Sequence, residues 1–178
     1  VAVTNDGSYE GSEAFTLTAA NTAGAATTGT GTIVDDGTGA VFLPTNTTGT
    51  PDTPVAALDD DRPLTVSSVT VSETSPFAVF TVSGAAGQLV TLSAASGTAV
   101  LGTDTGSALE YFDGATWQAY APGSLVALGA GGELQVRASV VNDGLAEGSE
   151  TFTLSAANTG GGTGSATGTI LDDDGALT

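Results

Sequence analysis

The chain has no cysteine, no methionine, no histidine and no lysine, and its only cations are Arg62 and Arg137, against 20 acidic residues. Each absence removes a class of function. Without cysteine there are no disulfides and no usual zinc framework, and the redox compartment is left open. Without histidine, cysteine or lysine there is no imidazole base, no thiol nucleophile and no Schiff-base amine. Paired carboxylates can in principle cleave a glycoside, but here they fall in turns, so no enzymatic activity is expected. A formal net charge of −18 offers nucleic acid no basic footprint and is repelled by anionic membranes. No apolar run approaches the ~20 residues of a membrane span, so no membrane insertion is expected.

What the chain does have is hydrophobic alternation and an internal repeat. The hydrophobic fraction is 40%, and apolar residues alternate with Thr and Ser, which argues for half-buried strands and against a disordered acidic coil. Residues 5–36 (NDGSYEGSEAFTLTAANT…GTGTIVDD) return at 142–173 (NDGLAEGSETFTLSAANT…SATGTILDD) at a constant offset of 137 residues. Roughly two positions in three are identical, and such a period marks a tandem-repeat protein. The chain begins inside a repeat, so it reads as a piece of a longer protein.

Residues 64–174 are predicted to form one all-β domain. Val66–Val71, Phe77–Val82 and Gln88–Ser93 are short alternating runs. Asp113-Gly114-Ala115 between Tyr111–Phe112 and Thr116–Trp117 is a hairpin signal. Leu134, Val136, Ala138 and Val140 share one face, Phe152, Leu154 and Ala156 another, and Ile170 closes the last strand. Seven or so strands with frequent turns fit a β-sandwich of roughly 100 residues. Residues 1–36 supply only the C-terminal strand pair of a preceding repeat, carrying Phe15, Leu17 and Ile33, and must pack on this chain or on a neighbour. Residues 37–63 read as a Gly/Pro/Thr-rich linker in which Val41-Phe42-Leu43 is apolar enough to dock as an edge strand. Residues 175–178 read as the start of the next linker.

Acidic residues recur in the turns: Glu73, Asp104, Asp143 with Glu147, and Asp172-Asp173-Asp174. In a Greek-key sandwich several of these turns share one end. Carboxylates gathered there repel by ~4 kcal/mol per pair at ~4 Å and an effective dielectric near 20. Calcium, which takes 6–8 oxygens in flexible geometry, suits such a cluster better than magnesium, and no soft ligand exists for zinc or copper. The bland alternative is a solvated acidic turn. Glu13 and Glu150 open strands, where turn amides are their first expected partners and a cation the second.

Taken together, Val71-Ser72-Glu73, Gly97-Thr98-Ala99 with Gly102-Thr103-Asp104, Asn142-Asp143 with Glu147 and Glu150-Thr151-Phe152, and Gly168-Thr169-Ile170-Leu171-Asp172-Asp173-Asp174 resemble a Calx-β repeat. Such repeats are found in sodium–calcium exchangers and in arrays in secreted bacterial surface proteins. The resemblance covers 64–174 fully and 3–36 as the end of a preceding copy. It implies an Ig-like antiparallel β-sandwich, with Ca2+ bound by Glu73, Asp143, Glu147, Asp172, Asp173 and Asp174, and less surely by Asp104. Asn142 stands where calcium-sensing members carry an acid, which removes a charge and weakens the case for a second coupled ion. The first copy keeps Asp6, Glu10, Asp35 and Asp36 but has Gly37 at the third aspartate, a poorer site. Asp59, Asp60 and Asp61 could bind calcium at the junction and stiffen it, or could simply charge a linker.

Tyr111, Trp117 and Tyr120 cluster near a hairpin and are candidates for a glycan-stacking platform, although such residues are more often core or cross-strand pairs. The glycines at 160–162 and 164 lack the lysine and helix of a phosphate loop. The expected function is a calcium-stabilised structural repeat of an extracellular bacterial adhesin, spacer or matrix fibre, secreted or at the cell surface, whose partners are neighbouring repeats or identical subunits. The alternatives are a filament subunit joined by strand exchange through residues 1–36 and a module that binds surface glycans.

Overall fold

The computed structural model describes residues 1–175; the expected linker start at 175–178 lies, from 176 on, outside them. Among the described residues twelve strands form in chain order: β1 (Glu13–Ala20), β2 (Ala26–Ile33), β3 (Thr65–Val66), β4 (Val69–Ser72), β5 (Phe77–Ser83), β6 (Leu89–Ser96), β7 (Thr105–Phe112), β8 (Trp117–Ala119), β9 (Val126–Ala127), β10 (Glu133–Val140), β11 (Glu150–Asn158) and β12 (Thr163–Leu171). Among the described residues no helix is long and apolar enough to cross a membrane.

Strands β3–β12 build an Ig-like β-sandwich of two five-stranded sheets, ordered β3-β5-β10-β7-β8 and β4-β12-β11-β6-β9. The period-2 alternation explains which face each strand buries. Ala78, Phe80 and Val82 of β5 and Leu134, Val136 and Ala138 of β10 point inward from one sheet. Val90 and Leu92 of β6, Phe152, Leu154 and Ala156 of β11, and Ile170 of β12 meet them from the other. Phe80 and Phe152 lock the sheets together edge to face, with ring centroids 5.6 Å apart and planes at 81°. Burying side chains of this size stabilises the fold by roughly 1.5–3 kcal/mol each.

Three expectations are corrected. The sandwich has ten strands where about seven were expected, because β3, β8 and β9 are edge pieces of only two or three residues. The run Val66–Val71 is not one strand. It breaks at Ser67, whose amide donates to the Thr81 carbonyl and whose Oγ accepts from the Thr81 amide, and the chain there crosses from one sheet to the other. Val41-Phe42-Leu43 does not dock as an edge strand: Val41 makes a single bridge to Asp52 within a local loop, and Phe42 and Leu43 stay exposed.

Strands β1 and β2 form a hairpin whose register, Glu13 opposite Ile33 and Phe15 opposite Gly31, repeats that of β11–β12. In the intact copy the Phe152 ring lies on Gly168 beneath Phe80, so a Cβ there would meet both rings within 2.8 Å. The Phe15 ring likewise covers Gly31. With no Phe80 equivalent above it, Phe15 is only half-buried, and Leu17 is 64% exposed. The hairpin joins neither five-stranded sheet.

Candidate metal centre

The strand directions send four acidic segments to one end of the sandwich, called here the distal end. They are the β4–β5 turn with Glu73, the residue before β7 (Asp104), the β10–β11 loop with Asp143 and Glu147, and the tail of β12 with Asp172–Asp174. There the carboxylates form two triads. Ligand oxygens of Glu73, Asp143 and Asp174 lie within 4.8 Å of one another, and so do those of Asp104, Glu147 and Glu150. A shared cleft lined by Glu73, Asp104, Asp143, Glu147, Glu150 and Asp172 joins them.

Backbone hydrogen bonds set this geometry. The Glu73 amide donates to the Leu171 carbonyl at 2.8 Å, tying the β4 turn to the end of β12. Glu73, 8% exposed, accepts the Asp143 amide on Oε1 at 2.8 Å. Asp104 Oδ2 accepts the Val100 amide at 2.7 Å, and its carbonyl accepts from Val141. Asp172 accepts the amides of Glu147 and Gly148 on Oδ2 and of Asp174 on Oδ1. The Gly148 amide first, then those of Asp174 and Glu147, hold the Asp172 carboxyl below its ordinary value.

The remaining charge is poorly compensated. Burial first, then the Asp104 carboxylate, pushes Glu147 and Glu150 above their ordinary value. Asp174 Oδ2 is buried and has no hydrogen-bond partner among the described residues. Buried polar atoms are nearly always partnered, so an orphan of this kind asks for a missing donor or cation. The only basic side chains are elsewhere: Arg62 pairs with Asp60, and Arg137 with Glu110. The donor set is entirely oxygen, its spacing lies within the reach of one hard cation, and one of its oxygens is orphaned. These residues fit calcium.

Of the residues named from sequence, Glu73, Asp143 and Asp174 come together directly, and Asp104 and Glu147 join the second triad. Asp172 lines the cleft while serving as the acceptor that folds the 147–148 turn. Asp173 and Asn142 are exposed and belong to neither triad. Glu150, read chiefly as a turn residue, completes the second triad because the first residue of β11 sits at the rim of this end.

The first copy repeats the loop chemistry. Asp35 Oδ2 accepts the Glu10 amide at 2.9 Å as Asp172 accepts that of Glu147, and Asp6 Oδ1 accepts the Ser8 amide as Asp143 accepts that of Leu145. Asp36 accepts from Thr38 and bridges to Asp60. Asp60 is 3% exposed and held bidentately by Arg62, with Nε–Oδ1 2.8 Å and Nη2–Oδ2 2.6 Å, so it neutralises a cation rather than seeking one.

The three aromatics do not form a platform. Tyr120 is buried, its hydroxyl accepting the Leu92 amide and donating to the Ser124 carbonyl, each at 2.9 Å. Trp117 pairs with Phe112 across the hairpin and lies under the Arg137 guanidinium, 4.2 Å from its ring centroid. Tyr111, one residue from Phe112, faces the other way and packs on the core.

No family model matches this chain, and no curated protein matches it in sequence. Solved structures with a similar fold include CBD12 from CALX1.2, at 22% identity and a TM-score of 0.44 over 63% of this chain and 44% of that one. The periplasmic chaperone SfaE matches at 8% identity and TM-score 0.44, over 66% of this chain and 59% of that one. PapD-like domain 7 of human CEP192 matches at 7% identity and TM-score 0.36, over 71% of this chain and all of that domain. The matched region thus spans about half the length of the first two. These are likenesses of fold alone, and the sandwich assignment rests on the chain's own strand pairing.

Proposed function

We propose that this chain is a structural repeat module whose sandwich is stabilised by calcium at its distal end, and that it serves as a spacer, adhesin shaft or matrix fibre outside the cell. The observation that carries the reading is the Glu73–Asp143–Asp174 triad with its orphaned Asp174 oxygen, standing beside a second carboxylate triad with no basic residue near either. Glu73, Asp143 and Asp174 would hold the ion, with Asp104, Glu147 and Glu150 at its flank. A bound cation would supply positive charge where four separate turns meet, and so fix those turns to one another. Its partners would be neighbouring repeats of the same kind.

The test is a thermal melt in millimolar calcium, in excess chelator, and in magnesium. A site filled at a hundred times its Kd adds about 2.7 kcal/mol. An upward shift of several degrees with calcium and not with magnesium supports the reading. Identical melts in calcium and chelator overturn it.

A second reading, a filament subunit joined by strand exchange, draws on the β1–β2 hairpin. Its counterpart β11–β12 is flanked by β6 and β4, whereas β1–β2 has no flanking strand among the described residues. A neighbouring copy would supply those strands. Light scattering on the chain lacking residues 1–36 tests this: polymerisation that persists after deletion rules it out.

A further inference from the structure

The opposite, proximal end of the sandwich carries a second arrangement that the distal triads do not explain. Here the chain arrives from the linker through Leu58–Arg62 and is fastened to the β11–β12 and β5–β6 turns. Thr159 Oγ1 donates to the Leu58 carbonyl at 2.7 Å. Asn158 Nδ2 and the fully buried Gln88 Nε2 both donate to the Arg62 carbonyl, at 2.9 and 2.6 Å. The Gly160 amide donates to the Asp60 carbonyl at 3.3 Å. This segment is a built part of the domain.

Within it, Asp61 is anomalous. The residue is 8% exposed, yet both carboxylate oxygens are buried without a hydrogen-bond partner among the described residues. An ionised carboxylate so placed is strongly unfavourable unless it is paired. The only nearby basic residue, Arg62, is engaged by Asp60 through two bonds. A Cβ built on Gly160 would collide with Asp61 Oδ1 and come within 2.8 Å of Asp59 Oδ1. The two oxygens therefore lie no more than 4.9 Å apart (2.1 plus 2.8 Å), a separation that a single hard cation with bonds of about 2.3–2.6 Å can bridge. Glycine at 160 leaves room for that pair. The acidic turn of the preceding hairpin abuts the same place: Asp36 bridges to Asp60, and a Cβ on Gly37 would lie 3.0 Å from Asp60 Cβ. Asp35 and Asp6 are close enough to act on Asp61 electrostatically.

We propose that a divalent cation of the calcium type binds at this joint, held by Asp59 and Asp61 over the Gly160 turn beside the preceding copy's acidic turn, which bridges to Asp60, and so couples one repeat to the next. This site lies at the other end of the sandwich from the triads and does not depend on the calcium reading of that end.

The experiment is calcium titration by calorimetry on the full chain, with magnesium as a second arm. It compares the wild type with D61N, D59N and the distal variant E73Q, and small-angle scattering is recorded with and without calcium. D61N and D59N should each lose one bound ion, or weaken it at least tenfold, while keeping the ions that E73Q removes. The wild type should extend or stiffen with calcium, and D61N should not. Asn and Asp are nearly isosteric, and two independent variants guard against a folding defect in one. A joint that prefers magnesium, or D61N and D59N binding curves identical to the wild type, would overturn the proposal. Loss in D61N and D59N of only the ions that E73Q also removes would overturn it as well, since no separate ion would then sit at the joint.

Discussion

Replacing Glu73 by Gln should reverse its effect on stability according to whether calcium is present. Glu73 sits within 4.8 Å of ligand oxygens of both Asp143 and Asp174. Two unit charges at that distance repel by ~3.5 kcal/mol at an effective dielectric of 20 and by ~1 kcal/mol in bulk water. Asp143 is exposed, so solvent screening pulls the value toward the lower end. Gln keeps the oxygen that accepts the Asp143 amide and removes the charge. In chelator the variant should therefore melt higher than the wild type, by about 1–2 kcal/mol or several degrees for a domain of this size. In calcium the order should invert, because the variant lacks one ligand and forfeits much of the ~2.7 kcal/mol that a well-filled site provides. Paired thermal melts by circular dichroism, run in both solutions, read the crossing directly. If E73Q lowers the melting temperature equally in chelator and in calcium, Glu73 is an ordinary acceptor for a turn amide and the electrostatic reasoning is wrong.

Three further outcomes are expected. Phe80→Ala should cost ~3–5 kcal/mol in urea denaturation followed by Trp117 fluorescence, whereas Phe15→Ala, in the unflanked hairpin, should cost about 1 kcal/mol or less; equal costs would mean the hairpin is packed as tightly as the sandwich. Arg62→Gln should cost on the order of 3 kcal/mol, since it leaves Asp60 buried without its bidentate partner; a variant as stable as the wild type in the same denaturation would count against that pairing. In chelator, stability should rise as pH falls from 7 toward 4.5. Glu147, Glu150 and Asp61 are all pushed up, each by burial first, so the folded state binds their protons more tightly than the unfolded chain and loses stability as pH climbs through the raised values. Below about 3.8 the trend should turn, as Asp36, Asp113 and Asp172, held low chiefly by hydrogen bonds from Thr38, Thr116 and Gly148, take up protons. A monotonic fall in melting temperature from pH 7 downward would contradict this sign.

The core was legible because alternation is a property of single strands. Ala138, Val136 and Leu134 must share a face whatever their partners, and all three are buried. What could not be read locally was how strands end. The same alternation that buries Tyr111 against the core turns Phe112 and Trp117 outward, so three aromatics close in sequence are divided between two surfaces. Consecutive acids are divided in the same way. Asp60 meets Arg62 while Asp61 meets only other carboxylates, although nothing in Asp-Asp-Asp says which of the three will find the one arginine. At the distal end Asp172 folds a turn while Asp174 faces the triad, and Glu150 reaches the cluster through a strand start that resembles any other.

The parallel pairing of β4 with β12 gives the module a direction of strength. Val69–Ser72 lies beside Gly168–Leu171, and both strands run from the proximal to the distal end. A pull on the incoming chain, once past the Leu58–Arg62 fastening and β3, draws β4 backward from its start, and a pull on the outgoing chain draws β12 forward from its end. The two strands are then loaded in opposite senses along their length. Ladder bonds run across the strands, so the four paired positions resist such a load together instead of opening one after another as in a peeled hairpin. Tension along an array of these repeats that passed the Leu58–Arg62 fastening and β3 would meet the β4–β12 pair in shear, and the carboxylate cluster, sitting where β12 leaves the sandwich, would close the far end of that clamp.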